Sequence, residues 1–90
     1  MKKKMKVCVV IPCYKVKNLV EKVIQKIDLK LVNTIIVVDD CCPENTYSYL
    51  KKKKFKKLLL LKNKINLGVG GATIRGFRKA IKLDHDIVFK

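Results

Sequence analysis

Two adjacent carboxylates, Asp39 and Asp40, end a short apolar run, Ile35-Ile36-Val37-Val38, dominated by β-branched residues. An ionised carboxylate is an acceptor only, so a pair at a strand tip marks a place where a ligand's donors can be met. A run without polar alternation suits a strand covered on both faces, as in a parallel sheet between helices. In open α/β sheets, ligands bind at the carboxyl edge of such strands. Tyr14 follows an earlier apolar run. If the two strands are parallel neighbours, its ring stands at the same edge as Asp40, placed to stack on and hydrogen-bond a nucleobase. Packing of that ring on the following helix is the alternative, and the pattern leaves both open.

The loop Asn63-Lys64-Ile65-Asn66-Leu67-Gly68-Val69-Gly70-Gly71 is the second informative stretch, leading into a helix from about Gly70 to Leu83. Glycines before a helix permit positive φ, close approach of a ligand, and free backbone N–H groups aimed at an anion. The spacing is G-x-G-G, which matches neither the dinucleotide fingerprint G-x-G-x-x-G after the first strand nor the P-loop. Within the helix, Ala72, Gly76 and Ala80 recur every four residues. Glycine in a helix costs about 1 kcal/mol relative to alanine, and a small-residue face that lets the helix approach the sheet is sufficient reason for it. His85, the single histidine, lies in Asp84-His85-Asp86. No G-x-S-x-G context supplies a nucleophile, so a solvated turn is the reading rather than a triad or a metal pair.

The elements that must position these groups follow from hydrophobic period. Met5 to Ile11 reads as a first strand closed by Pro12, which cannot donate to a ladder. Val16, Leu19, Val20, Val23, Ile24 and Ile27 form one helical stripe, with Lys17, Glu21, Lys22, Gln25 and Lys26 mostly on the other face. Strand, helix and the Ile35–Asp40 run make a βαβ unit. Asn45 or Thr46 caps a short helix to about Lys53, with Tyr47 and Leu50 facing inward. Phe55 to Lys62, with four consecutive leucines, reads as a third buried strand, and Asp86 to Lys90 opens another.

Ninety residues allow one small domain, and a formal charge of +15 invites a nucleic-acid or anionic-membrane reading. Against the first, only Arg75 and Arg78 are arginines, the lysines are spread over nearly every segment, and base readout favours arginine. The Lys51 to Lys54 cluster with Lys56 and Lys57 reads as a solvated helix end and turn. Cys8, Cys13, Cys41 and Cys42 have neither disulfide-framework nor zinc spacing, so reduced thiols in a cytosolic setting are expected. The apolar run before Pro12 is too short to span a membrane and no signal-peptide cleavage site follows it.

Val9-Val10-Ile11-Pro12-Cys13-Tyr14, then Ile36-Val37-Val38-Asp39-Asp40 with Pro43 and Thr46, then Asn66-x-Gly68-x-Gly70-Gly71-Ala72 and Gly76-Phe77-x-x-Ala80, resembles in order and spacing the amino-terminal half of family 2 glycosyltransferases. The polyprenol-phosphate sugar transferase branch is the nearest likeness. The resemblance implies an α/β fold, a Rossmann-like parallel sheet with helices on both faces, forming the first half of a GT-A fold over residues 1–90. It implies a nucleotide site in which Pro12 and Tyr14 line the base pocket and Asp40, beside Asp39, bonds the base or ribose. Val38 would add backbone contacts, and Gly70, Gly71 and Ala72 would lie near the nucleotide. Lys15-Val16 stand where the family has Asn-Glu, and Cys41-Cys42 where Gly-Ser is commoner.

The family's metal-binding Asp-x-Asp follows the strand that begins at Asp86. A divalent Mg or Mn ion is therefore expected in the full-length protein, with its ligands, the acceptor site and the catalytic base beyond residue 90. The implied partners are a UDP- or GDP-sugar donor and a polyprenol-phosphate or glycan acceptor, with no specific nucleic acid. The implied location is the cytoplasm, with peripheral contact at the cytoplasmic face of a membrane. Two other readings stand beside it: a basic nucleic-acid-binding module, and a different nucleotide-binding enzyme such as a nucleotidyltransferase. The latter predicts a glycine-rich basic loop after the first strand, where Pro12-Cys13-Tyr14 stands instead.

Overall fold

The structure, a computed structural model, describes residues 4–90. Seven elements alternate along the chain: β1 (Val7–Cys13), α1 (Lys17–Lys26), β2 (Thr34–Asp39), α2 (Thr46–Lys53), β3 (Leu58–Lys62), α3 (Gly68–Lys82) and β4 (Ile87–Phe89). The strands form one sheet in the order β3-β2-β1-β4, and every pairing is parallel. This is the expected Rossmann-like α/β arrangement, with the order reversing at β1 as in a doubly wound sheet.

Because successive strand residues point to opposite faces, the two covering layers divide by parity. Cys13, Ile35 and Val37 face α1 and α2, where they meet Val20, Ile24 and Leu50. Cys8, Val10, Ile36 and Val38 face α3, where they meet Ala72 and Ala80. Both sides of β2 are therefore apolar and its four residues Ile35–Val38 are fully buried. Gly76 explains how α3 comes so near: a Cβ there would lie 2.3 Å from Val10 Cγ1 and 3.2 Å from Val38 Cγ2. The glycine is a packing residue.

Several expectations need correction. Proline does not close β1, which runs through Pro12 to Cys13 with Pro12 opposite Val38. The even-numbered residues of β1 turn their backbone groups toward β4, since Lys6 O accepts from Ile87 N while Val7 O accepts from Asn33 N on the β2 side. Pairing with β4 extends only to Val9 among the described residues, so the missing N–H of Pro12 leaves no ladder acceptor unmet. The α1 stripe is narrower than its sequence period, because Val20 and Ile24 are buried but Leu19 and Val23 are exposed. Helix α3 starts at Gly68 rather than Gly70, and Gly68 is the glycine with positive φ, +80°.

His85 is not a solvated turn residue. Its Nδ1 lies 2.9 Å from Ala80 O and its Nε2 2.8 Å from Thr34 Oγ1, joining the end of α3 to the start of β2. One lysine of the basic cluster is likewise engaged: Lys57 Nζ donates to the carbonyls of Leu29 and Val32, locking the turn before β2. All four cysteines are free thiols. No helix among the described residues is long and apolar enough to cross a membrane.

Candidate functional site

The parallel pairing of β1 with β2 delivers Cys13 opposite Asp39, and Asp40 N donates to Cys13 O at 3.0 Å. Tyr14 and Asp40 therefore leave the sheet side by side at its carboxyl edge. They line one cleft of about 490 Å³ with Pro12, Val16, Asn66, Gly68, Val69 and Ala72. Its mostly apolar wall with a few convergent polar groups, and its volume, suit a small organic ligand. Tyr14 is 42% exposed, so its ring is available as a stacking face rather than consumed in packing.

The two carboxylates at the β2 tip have separate duties. Asp39 is fully buried and turns away from the cleft. Its Oδ1 accepts from Cys42 N and its Oδ2 from Tyr47 N, each at 2.8 Å. It thus closes the 40–46 turn and satisfies an N–H in the first turn of α2, a duty expected of Asn45 or Thr46, neither of which makes a side-chain cap. Asn45 takes a left-handed conformation there, and Cys41 another. Asp40 lines the cleft and is 3% exposed. Its Oδ1 accepts from Leu67 N and Asn63 Nδ2, both at 2.8 Å, while its Oδ2 makes no hydrogen bond among the described residues. One oxygen positions the start of α3 and the other stays unengaged at the cleft.

Helix α3 begins at this cleft without an acidic residue in its first turn and without a side-chain cap. Gly68 N donates to Asn66 Oδ1 at 3.0 Å. The next N–H groups of the turn, on Val69 and Gly70, have no intrahelical acceptor, so the helix end offers donors and positive potential to an anion. Nothing lies within 4 Å of a Cβ built on Gly70, whereas one on Gly71 would meet Leu67 Cβ at 2.8 Å. Of the residues named from sequence, Pro12, Tyr14, Asp40 and Ala72 line the cleft, and Gly70, in the first turn of α3 between Val69 and Ala72, does not. Val38, Asp39 and Gly71 stand behind them.

Three residues not expected at the site hold it together. Asn63 is 3% exposed and bonds Asp40, and Arg75 donates to both Asn63 Oδ1 and Lys62 O. Cys42 is buried, and its Sγ accepts from Lys15 N at 3.1 Å and from Thr46 Oγ1 at 3.6 Å, tying the β1 exit loop to the β2 exit loop. The register that pairs Asp39 with Lys62 was the signal for Asn63, since it puts the next residue of β3 beside Asp40. Burial pushes the Cys13 thiol up to about 12, reinforced by the negative charge of Asp39, so it stays protonated beside the site.

No three His, Cys, Asp or Glu residues among the described residues gather to hold a metal ion. With both Asp39 oxygens on backbone donors and one of Asp40 likewise engaged, the carboxylates at this edge do not fit a divalent cation.

Comparison with known proteins gives two likenesses. The sequence profile described as Glycosyl transferase family 2 matches residues 8–82, from β1 to the end of α3. A curated relative from Methanococcus voltae, UDP-N-acetylglucosamine--dolichyl-phosphate N-acetylglucosaminyltransferase, is 32% identical over 92 aligned positions, covering 87% of this chain. The chain spans 37% of that relative's length.

Proposed function

Because the chain belongs to glycosyl transferase family 2, we propose that its carboxyl-edge cleft binds the nucleotide of a nucleotide-sugar donor whose sugar passes to a polyprenol phosphate or a growing glycan. The observation that carries this reading is the convergence of Tyr14, the unengaged Asp40 oxygen and the uncapped start of α3 on one cleft. The Tyr14 ring stacks on the base, with Pro12 as the apolar floor. Asp40 Oδ2 accepts from an imide N–H of the base or from a ribose hydroxyl, a charge-assisted bond. The diphosphate lies toward Val69 and Gly70, whose N–H groups meet its charge. The relative's printed donor and acceptor, UDP-N-acetylglucosamine and dolichyl phosphate, favour a uridine nucleotide over a guanosine one and a lipid-linked phosphate over a free glycan.

In the transfer, an acceptor oxygen forms a bond to the anomeric carbon as the bond to the nucleoside diphosphate breaks, and the charge that develops on the leaving diphosphate is what the start of α3 is oriented to stabilise. Residues 4–90 bind and orient the donor. A Mg or Mn ion, a catalytic base and the acceptor contacts would come from outside them. A polyprenol-phosphate acceptor would place the protein at a membrane surface on the cytoplasmic side, where its lysines favour anionic lipids.

Calorimetry with UDP and GDP tests the reading. Tyr14→Ala leaves the core untouched and should weaken UDP binding about tenfold, the scale of one base–aromatic stack. Binding indifferent to Tyr14→Ala would overturn the assignment.

A further inference from the structure

We infer that the chain carries a second ligand site, a cleft beside the carboxyl end of β3 that takes a phosphate-bearing ligand. It encloses about 710 Å³ and is lined by Tyr47, Leu60, Lys62, Asn63, Lys64 and Arg75 among others. None of its lining residues lines the nucleotide cleft, and none is Asp or Glu. Three cations thus face one cavity, and no carboxylate pairs with Lys62, Lys64 or Arg75 among the described residues.

Arg75 anchors this cleft. It is half-buried on α3, and one terminal nitrogen donates to Lys62 O and Asn63 Oδ1. That pair of bonds fixes the guanidinium plane while Nε and the other terminal nitrogen keep donors with no acceptor among the described residues. A partly desolvated charge without a counter-charge is unfavourable by itself, and a planar fork with free donors fits two phosphate oxygens. Lys62 and Lys64 supply point charges on either side of buried Asn63. Tyr47, whose backbone N–H is held by Asp39, gives a fixed ring, and Leu60 an apolar wall, for the body that the phosphate carries.

The two clefts share a partition. Asn63 bonds Asp40 through Nδ2 and receives Arg75 through Oδ1, so an anion that holds Arg75 also steadies the carboxylate of the first cleft. The second site itself stands whether or not the first holds a nucleotide.

Titration of the 15N-labelled protein with inorganic pyrophosphate tests it, read from amide shifts and the Arg75 Nε signal. Saturable shifts centred on Lys62–Lys64 and Arg75 are expected. Lys62→Ala/Lys64→Ala should weaken the affinity about tenfold, since two charge-assisted contacts are lost, and Lys22→Ala/Lys26→Ala on α1 should leave it unchanged. Vesicles containing phosphatidylglycerol form the second arm: shifts at Lys62–Lys64 with vesicles alone identify the phosphate as a lipid headgroup, and shifts with pyrophosphate identify a soluble ligand. Equal weakening by the two lysine pairs, shifts that do not saturate, or shifts centred on Gly68–Gly70 would each overturn the inference. The last outcome would leave the nucleotide reading intact, whereas UDP shifts absent from Tyr14 and Asp40 would sink that reading without touching this one.

Discussion

The turn after β2 and the turn after β3 are built around neighbouring aspartates, yet they do opposite things. On the α2 side, Asp39 engages both oxygens on the backbone of Cys42 and Tyr47 and does not line the cleft. On the α3 side, Asp40 engages one oxygen on Leu67 N and Asn63 and keeps the other at the cleft. The alternation of strand side chains sends the first to one layer and the second to the other. A doubled carboxylate at a strand tip is thus a lock and a cleft-facing acceptor in succession, and identity of residue type says nothing about which is which.

The same conservative substitution at both positions separates the two roles, and the lock should show the largest effect. In Asp39→Asn one acceptor oxygen becomes an NH2 facing a backbone N–H. A buried donor is left unmet and the charge is lost, which should destabilise the fold by about 3 kcal/mol, read by urea denaturation. Nucleotide affinity per folded molecule should not change. A loss of affinity with full stability would mean that Asp39, not Asp40, contacts the ligand.

Next in size is the close approach on which the α3 side depends. Gly76→Ala places a methyl 2.3 Å from Val10 Cγ1, an overpacking worth about 2 kcal/mol. Adding Val10→Ala should recover part of that loss. No comparable small residue serves the α1 and α2 layer, whose buried contacts are Val20, Ile24 and Leu50. Recovery absent from the double variant would show that Gly76 is retained for something other than contact with β1.

These two positions also mark how far the sequence could be read. The unbroken apolar run Ile35–Val38 sufficed for a doubly covered parallel strand, and the small stripe Ala72, Gly76, Ala80 sufficed for a close helix. The direction of each aspartate required the register, because a one-residue offset exchanges the faces. The part that Asn63 and Arg75 play in the site was not legible, because a polar residue after an apolar run looks like loop, and only the pairing of β2 with β3 shows that Asn63 is buried beside Asp40. Pro12 misled for a related reason: a missing donor interrupts a strand only where a neighbour needs it.

Asp40→Asn is the counterpart of the first test. Its Oδ1 can still accept from Leu67 N and Asn63, so stability should fall by less than about 1 kcal/mol. The amide that replaces Oδ2 would oppose a donor on the ligand, and UDP affinity should drop about tenfold, measured by calorimetry. Large unfolding with unchanged affinity would make Asp40 a second lock.

The smallest effect is the pH dependence that Cys13 adds on the lock side. Cys13 lies in the α1 and α2 layer, and burial, then Asp39, then Cys42 and Asp40 raise its thiol from 9.0 to about 12. Between those values the unfolded chain releases the proton and the folded chain retains it. Folding stability from this group is therefore complete below pH 9 and falls as pH rises through the window, by about 1 kcal/mol at pH 10. Comparing urea midpoints of the wild type and Cys13→Ala at pH 8 and pH 10 isolates it from every group that the two proteins share. Cys8, raised by burial in the α3 layer, adds a slope of the same sign that survives in Cys13→Ala. A pH 8 to pH 10 loss identical in the two proteins would mean that the Cys13 thiolate is tolerated beside Asp39, and that the lock is more open to solvent than its hydrogen bonds imply.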